Sequence, residues 1–387
     1  MKSWEREGSA ARQEQCAWIE AIGAMYDKKE IESGMKMGLL EETIRAVRPL
    51  DESAMKTASV RWDSIAKPLH SLGQLEQQII TIAGIMGDPD VVVSPRAIVE
   101  MCADNGVVEE GVSQTGQEVT AIVAENFLSG DTTSCVMGKC CQADIIPVDI
   151  GMAVDTKVRR DKKIRYGTAN MAKEPAMSRQ EAVKAIEAGI SMAFECRERG
   201  YRILATGEMG IGNTTSSSAM ASVLLKLPVE AVTGRGAGLS HDGLSRKIQA
   251  IKRAIETNHP DPHDAIDTLA KVGGLDIAGM AGLYLGGAAC RIPVVMDGFI
   301  SCVAALTASL VCPLTVDYML PSHVSGEHAA RKILEYLGKK APIHADLCLG
   351  EGTGAAALFP LLDMAAAVYR SMSTFTDIKV EQYKELL

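Results

Sequence analysis

Hydrophobic and polar positions change rhythm near residue 90. Upstream, Ala17, Ile19, Ile22 and Met25, then Leu39, Leu40, Ile44 and Val47, recur at roughly helical spacing, which predicts a helical region over residues 1 to about 60. The stretch from Lys67 to Gly73 breaks this pattern with Pro68 and Gly73 before Leu75, Ile79, Ile80 and Ile82 resume a helix; it reads as a linker or an active-site loop. Beyond residue 90, short β-rich runs (Val91 to Val93, Ile145 to Val148, Ile203 to Ala205, Val294 to Met296) alternate with longer helical patterns. Such alternation predicts an α/β fold built on a parallel sheet. From about Gly354 to Leu387 the chain is Ala-rich and then amphipathic, predicting C-terminal helices that pack against the N-terminal ones.

Composition narrows the function classes. With 387 residues, 47% of them hydrophobic, the chain can bury a large core in one big domain or two unequal ones. A net charge of −9 argues against a nucleic-acid partner, because phosphate-backbone binding needs clustered Lys and Arg. Any anion must be held locally. The ten cysteines are scattered, with only Cys135, Cys140 and Cys141 close together, and the seven histidines form no HExxH pattern, so neither a disulfide framework nor a metal site is expected. Residues Ser3 to Gln15 are charged and lack an apolar secretion core, while Ala278 to Ala289 and Ile300 to Cys312 are too short for a membrane span. These features predict a cytoplasmic protein with reduced thiols and no membrane partner.

Candidate chemistry gathers where strand-like runs end in acidic or small residues, since ligands of open α/β sheets lie beyond the carboxyl ends of strands. Examples are Ala103-Asp104-Asn105-Gly106, Asp149-Ile150-Gly151, Gly207-Glu208-Met209-Gly210 and Asp297-Gly298. Four Gly-rich turns stand out, at Gly207 to Thr215, Gly234 to Gly238, Gly273-Gly274 and Gly350 to Gly354. Backbone amides at such turns cradle phosphate without net positive charge. A single turn of this kind needs no more explanation than a tight strand-to-helix connection; four together, two carrying a Glu, favour a site. None contains a Walker lysine or GxGxxG, which weakens a dehydrogenase reading, and no Gly-x-Ser-x-Gly elbow is present.

Glu351 follows the mainly apolar run Ala345 to Leu349, so two readings stand side by side: a poorly solvated general base, or a partner of the next helix's N-terminus. Glu208 has the same two readings, with Asn213, Thr214 and Thr215 behind it as cap residues or phosphate ligands. Lys247 lies on the helical pattern Leu244, Ile248, Ile251, where a lysine is ordinarily solvated; only its place after the Gly234 to Gly238 turn suggests a phosphate ligand. Ser322, His323 and Ser325 read as a loop with hydroxyls in reach of the same anion.

Over Lys67 to Met372 a series of motifs keeps family order and spacing: Lys67-Pro68-x-x-Ser71-Leu72-Gly73, Ala103-Asp104-x-Gly106-Val107, Gly207-Glu208-x-Gly210-x-x-Asn213-Thr214-Thr215, Lys271-Val272-Gly273-Gly274-x-Asp276, Met296-Asp297-Gly298-Phe299, Pro321-Ser322-His323 and Leu349-Gly350-Glu351-Gly352. Together they resemble the nicotinate-nucleotide:dimethylbenzimidazole phosphoribosyltransferases. The resemblance implies a Rossmann-like parallel α/β domain over residues 61–360 and a small helical domain from residues 1–60 plus about 360–387, in a homodimer. It also implies cofactor-free transfer of phosphoribosyl from nicotinate mononucleotide to a cobalamin lower-ligand base such as dimethylbenzimidazole, giving α-ribazole phosphate and nicotinate. Glu351 matches the family's general base and Glu208 a residue of the base pocket. Gly210, Lys247, Ser322 and the Gly352 to Gly354 turn match the region that holds phosphate and nicotinate, with Asn213, Thr214 and Gly350 completing the candidate set.

Two departures bear on substrate. Thr115-Gly116 and Val123 stand where relatives place Ser-Pro and Gln beside the base, which implies a more apolar pocket open to other azoles, purines or phenols. Asn105 replaces a His common after the Ala-Asp pair. The alternatives are thus a related transferase with phenolic or purine acceptors, or a nucleotide-binding protein without turnover. The residues before about 60 exceed the family's usual start.

Overall fold

The structure is a computed structural model that describes residues 37–236 and 238–384, so the periodic stretch from Ala17 to Met25 lies outside the described residues. Three helices lead in: α1 (Leu39–Ala46), α2 (Glu52–Ser64) and α3 (Gln74–Met86). Then follow β1 (Arg96–Ala103), α4 (Glu118–Ser129), α5 (Thr133–Cys141), β2 (Ala143–Gly151), α6 (Arg179–Glu198), β3 (Ile203–Met209), α7 (Asn213–Leu225), α8 (Val229–Val232), α9 (His241–Asn258), α10 (Ala265–Val272) and α11 (Leu275–Ala289). The chain closes with β4 (Val294–Met296), α12 (Phe299–Val311), β5 (Met319–Pro321), α13 (His328–Tyr336) and α14 (Thr353–Ser371).

The five strands form one sheet in the order β2-β1-β3-β4-β5, every neighbouring pair parallel. Parallel strands need crossover connections, and the crossovers place helices on both faces, so side chains of either parity are buried. Every residue of β1 is accordingly buried. On one face Val99, Met101, Val148, Ile150 and Leu204 pack with Ile186, Ile190, Leu283 and Val303 of α6, α11 and α12. On the other, Ile98, Ile203, Ala205, Val295 and Leu320 share a cluster with Trp62, Ile79, Phe359 and Leu362 of α2, α3 and α14.

Helices from the two chain ends therefore meet over the sheet. The Trp62 and Tyr369 rings lie 5.2 Å apart, and Arg61 Nε donates to the Tyr369 carbonyl at 3.1 Å. The interruption from Lys67 to Gly73 is the turn between α2 and α3, fixed by a 2.7 Å ion pair from Lys67 to Glu76. The small-residue run within α11 is explained by its packing on α6: at Gly282 any side chain would meet the Ile186 carbonyl of that neighbour. Among the described residues no helix is long and apolar enough to cross a membrane.

From β1 the chain moves outward to β2, then returns to lay β3 on the other flank of β1. Strand order thus reverses between β1 and β3, which makes the crevice beyond their carboxyl ends the expected ligand position.

Candidate active site

A cavity of about 270 Å³ occupies that crevice. Its wall combines apolar Val112, Met209, Ile211, Leu239 and Leu349 with the carboxyl groups of Glu208, Asp297, Glu327 and Glu351, and with Arg235 and His323.

Glu351 reaches the cavity on an unusual turn. Gly350, Glu351 and Gly352 are consecutive residues in the left-handed region, with φ of 86°, 52° and 63°. Positive φ at a residue with a Cβ is strained and persists where the surroundings enforce it. Gly350 lies against the Glu208 carboxylate, leaving no room for a side chain. Glu351 itself is half-buried and makes no hydrogen bond among the described residues, and no side chain caps α14 at Gly352. The first amides of α14 instead donate to Asp297, from Gly354 at 2.7 Å and Ala355 at 3.2 Å. Asp297, at the end of β4, thus fills the capping role that was one of the two readings of Glu351. Burial, and then the nearby Asp297, push the Glu351 carboxyl above its ordinary pKa.

Glu208, one residue before the end of β3, has 6% of its surface exposed and accepts a hydrogen bond from Asn213 Nδ2, which also donates to Asp276 Oδ2 at 3.0 Å. Burial raises Glu208 well above the usual carboxylate range, with Asp276 the next cause, and burial lifts Asp276 to about 6. Beneath them Glu100 of β1 is fully buried, and neither of its carboxyl oxygens has a hydrogen-bond partner among the described residues. Burial and then Glu351 push it upward too. Close-packed acids without cations stay partly protonated, because each charge opposes the next in a poorly solvated space.

The residues expected to hold an anion lie at the start of α7 and on α9. Helix α7 begins without a side-chain cap, and Gly210, Asn213 and Thr214 are on the wall. Lys247 of α9 is 1% exposed, and its Nζ donates to Thr214 Oγ1 at 2.9 Å and to the Gly234 carbonyl at 3.2 Å. Burial lowers its pKa to about 8. It stands behind the wall, touching the cavity through Thr214, rather than on a solvated helix face.

The structure brings Glu208, Gly210, Asn213, Thr214, Gly350 and Glu351 together around the cavity, but not all the residues that sequence reasoning selected. The Ser322 hydroxyl donates to the Met296 carbonyl at 2.6 Å and pairs with His323 Nδ1 at 3.0 Å, so His323 and Ser325 line the cavity while Ser322 is set behind them. The Gly354 amide is engaged by Asp297, and Gly352 sits against Ile98 and Glu100. Thr115 is exposed, whereas the preceding Ser113 and Gln114 reach the cavity. Val123 is half-buried on α4 and packs against the cluster of Cys102, Phe127 and Met209, behind the wall.

Asp276, Asp297, Glu327 and Arg235 were given no role from sequence. Asp297 carried a signal as the acidic end of a strand-like run, Asp276 as part of a family motif and Arg235 by its place in the Gly234 to Gly238 turn, whereas Glu327 carried none. Among the described residues no three His, Cys, Asp or Glu side chains are arranged to hold a metal ion.

Fold and site define an α/β protein with a cluster of carboxylates at the switch point of a parallel sheet, beside an uncapped helix start. Residues 47–380 match a family model described as phosphoribosyltransferase. The chain is 50% identical over 344 residues to the nicotinate-nucleotide–dimethylbenzimidazole phosphoribosyltransferase of Alkaliphilus metalliredigens, covering 88% of this chain and 99% of that one. It is 47% identical over 348 residues to the protein of the same name from Acetivibrio thermocellus, covering 89% and 99%. The crystal structure of CobT from Thermus thermophilus superimposes with a TM-score of 0.81 at 38% identity, covering 86% of this chain and all of that one. The chain belongs to this phosphoribosyltransferase family.

Proposed function

We propose that the protein transfers the phosphoribosyl group of nicotinate mononucleotide to dimethylbenzimidazole or a closely related base, releasing nicotinate and forming an α-riboside phosphate for the lower ligand of cobalamin. The observation that carries this reading is Glu351: a carboxylate raised in pKa, free of hydrogen bonds among the described residues and facing a cavity that also takes in Gly210, Asn213 and Thr214 at the uncapped start of α7. Nicotinate bound through its ring nitrogen is a pyridinium, so it departs with the bonding electron pair as a ring with a neutral nitrogen and needs no acid. The incoming azole nitrogen forms the new bond to the anomeric carbon and gives its ring proton to Glu351. Lys247, through Thr214 and the α7 start, supports the phosphate and so fixes the sugar between the two rings. The cluster of Glu208, Asp276 and Asp297 favours the cationic pyridinium and the positive charge that develops on the ribose. In the same reading the enzyme acts in the cytoplasm as a homodimer.

The apolar wall of Val112, Met209, Ile211 and Leu349 favours a second acceptor class of purines or phenols, although Thr115 and Val123 lie outside it. Nicotinate release by the purified protein, followed chromatographically with dimethylbenzimidazole, adenine and phenol offered separately, distinguishes the two. Release that depends on dimethylbenzimidazole supports the first reading and release with another acceptor the second; none with any acceptor refutes both.

A further inference from the structure

A second cavity, of about 260 Å³, lies at the opposite end of the sheet, next to the amino-terminal ends of β3 and β4. Its wall is formed by Arg197, Arg202 and Arg291 together with Met86, Tyr201 and Ile292. No carboxylate among the described residues lines it, although the chain holds 49 acidic residues against 40 basic ones.

These arginines share one concavity and have no ion-pair partner among the described residues. Elsewhere Arg96 pairs with Asp363 at 2.8 Å, Arg159 with Glu195 at 2.8 Å, Arg165 with Glu181 at 3.3 Å and Arg179 with Asp264 at 2.8 Å. Arg197, Arg202 and Arg291 form no ion pair among the described residues. Two of them are held from behind by backbone carbonyls: Arg197 Nη1 donates to Cys290, and Arg291 Nη2 to Gly84 at 2.8 Å. The Arg202 side chain makes no hydrogen bond among the described residues and is exposed. Carbonyl oxygens orient a guanidinium without cancelling its charge. Three permanent cations around one concavity repel each other until an anion joins them, and each planar fork is suited to a phosphate edge.

We infer that this cavity is a binding site for a compact phosphate anion, either inorganic pyrophosphate or the phosphate of a small sugar monoester. The shared chemistry is a multivalent oxyanion: a single carboxylate would leave most of the positive charge unmatched, and an extended polyanion would meet a surface of net charge −9. The site lies at the far ends of the strands from Glu208 and Asp297, so it is distinct from the catalytic crevice and independent of the activity proposed there.

The test is calorimetric titration of the full chain at fixed ionic strength with pyrophosphate and, separately, ribose 5-phosphate. The variants are Lys247→Met, Arg202→Ala and Arg202→Glu. A site that persists in Lys247→Met, weakens roughly tenfold or more in Arg202→Ala and disappears in Arg202→Glu is the expected result. Nicotinate release without added anion should be unchanged in both Arg202 variants, and the anion that binds identifies the source. Arg202 has no side-chain hydrogen bond to lose among the described residues, and a thermal melt of each variant checks the fold. The inference is overturned if neither anion binds, if binding is lost only with Lys247, or if Arg202→Glu binds as tightly as the parent.

Discussion

The Gly354 amide donates to an Asp297 carboxylate oxygen at 2.7 Å, joining the end of β4 to the first turn of α14. Because Ala355 donates to the same oxygen, Asp297 serves as a cap supplied from another part of the fold, and Glu351 is left unbound just before the helix. The two acids divide the labour. One anchors the turn, and the other, in the proposed reaction, takes the proton.

Asp297→Ala should therefore cost stability. It removes the acceptor of two buried amides, and a buried donor left unpaired costs about 1–3 kcal/mol. Asp297→Asn keeps a carbonyl oxygen and should recover much of the loss. Urea denaturation of the two variants checks this; equal midpoints would mean the contact contributes little.

That cap from a remote part of the sequence also shows where sequence reasoning reaches its limit. Glu351 was legible as a site residue because it stands between glycines after an apolar run, but its roles as base and as helix partner could not be separated. The deciding residue, Asp297, lies just past the end of β4, remote in sequence. The parallel sheet was legible because strands buried on both faces read as apolar runs between helical ones. Strand order was not, since nothing local tells β3 to return to the far side of β1, and β5 is only three residues long. Thr115 and Val123 were picked by their match to positions beside the base in relatives, which does not say which way this loop faces; Gln114 faces the cavity instead. Lys247 looked like a solvated helix lysine because its burial comes from α7 and the Gly234 turn, both remote in sequence.

Glu351→Gln should fold as the parent does and lower kcat for nicotinate release by about 10²–10⁴, the usual contribution of a positioned general base. In the parent enzyme the base must be ionised, so the rate should fall as pH drops through the pKa of Glu351. Burial and Asp297 hold that pKa above the ordinary 4.5, which places the acid limb on the alkaline side of that value. A kcat profile flat down to pH 4.5 would remove Glu351 from the role.

Gly350→Ala tests the turn itself. The residue has φ of 86°, and an added Cβ would press on the Glu208 carboxylate, so the strain falls on both acids at once. Backbone strain of this kind costs about 1–3 kcal/mol, and displacement of Glu351 should reduce kcat/KM by at least about tenfold. Steady-state kinetics beside a thermal melt separate the two effects. Full activity in the alanine variant would show that the close approach of Gly350 and Glu208 is not needed for the reaction.

Lys247 should show a conflict between stability and function. In the folded chain its pKa is about 8 because burial disfavours the charged form, whereas in the unfolded chain it returns to the ordinary 10.5. Between these values the unfolded state holds the proton more tightly, so stability rises with pH across that window and the full penalty is present below pH 8. The shift corresponds to about 3 kcal/mol at most. Lys247→Met has no such titration, so its stability relative to the parent should be most favourable at pH 7 and decline by pH 10. At neutral pH the same substitution should raise KM for nicotinate mononucleotide, because the positive charge behind Thr214 is gone. Urea denaturation at pH 7, 8.5 and 10 would separate the cases: a stability difference independent of pH would mean that the lysine titrates normally and that its burial carries no penalty.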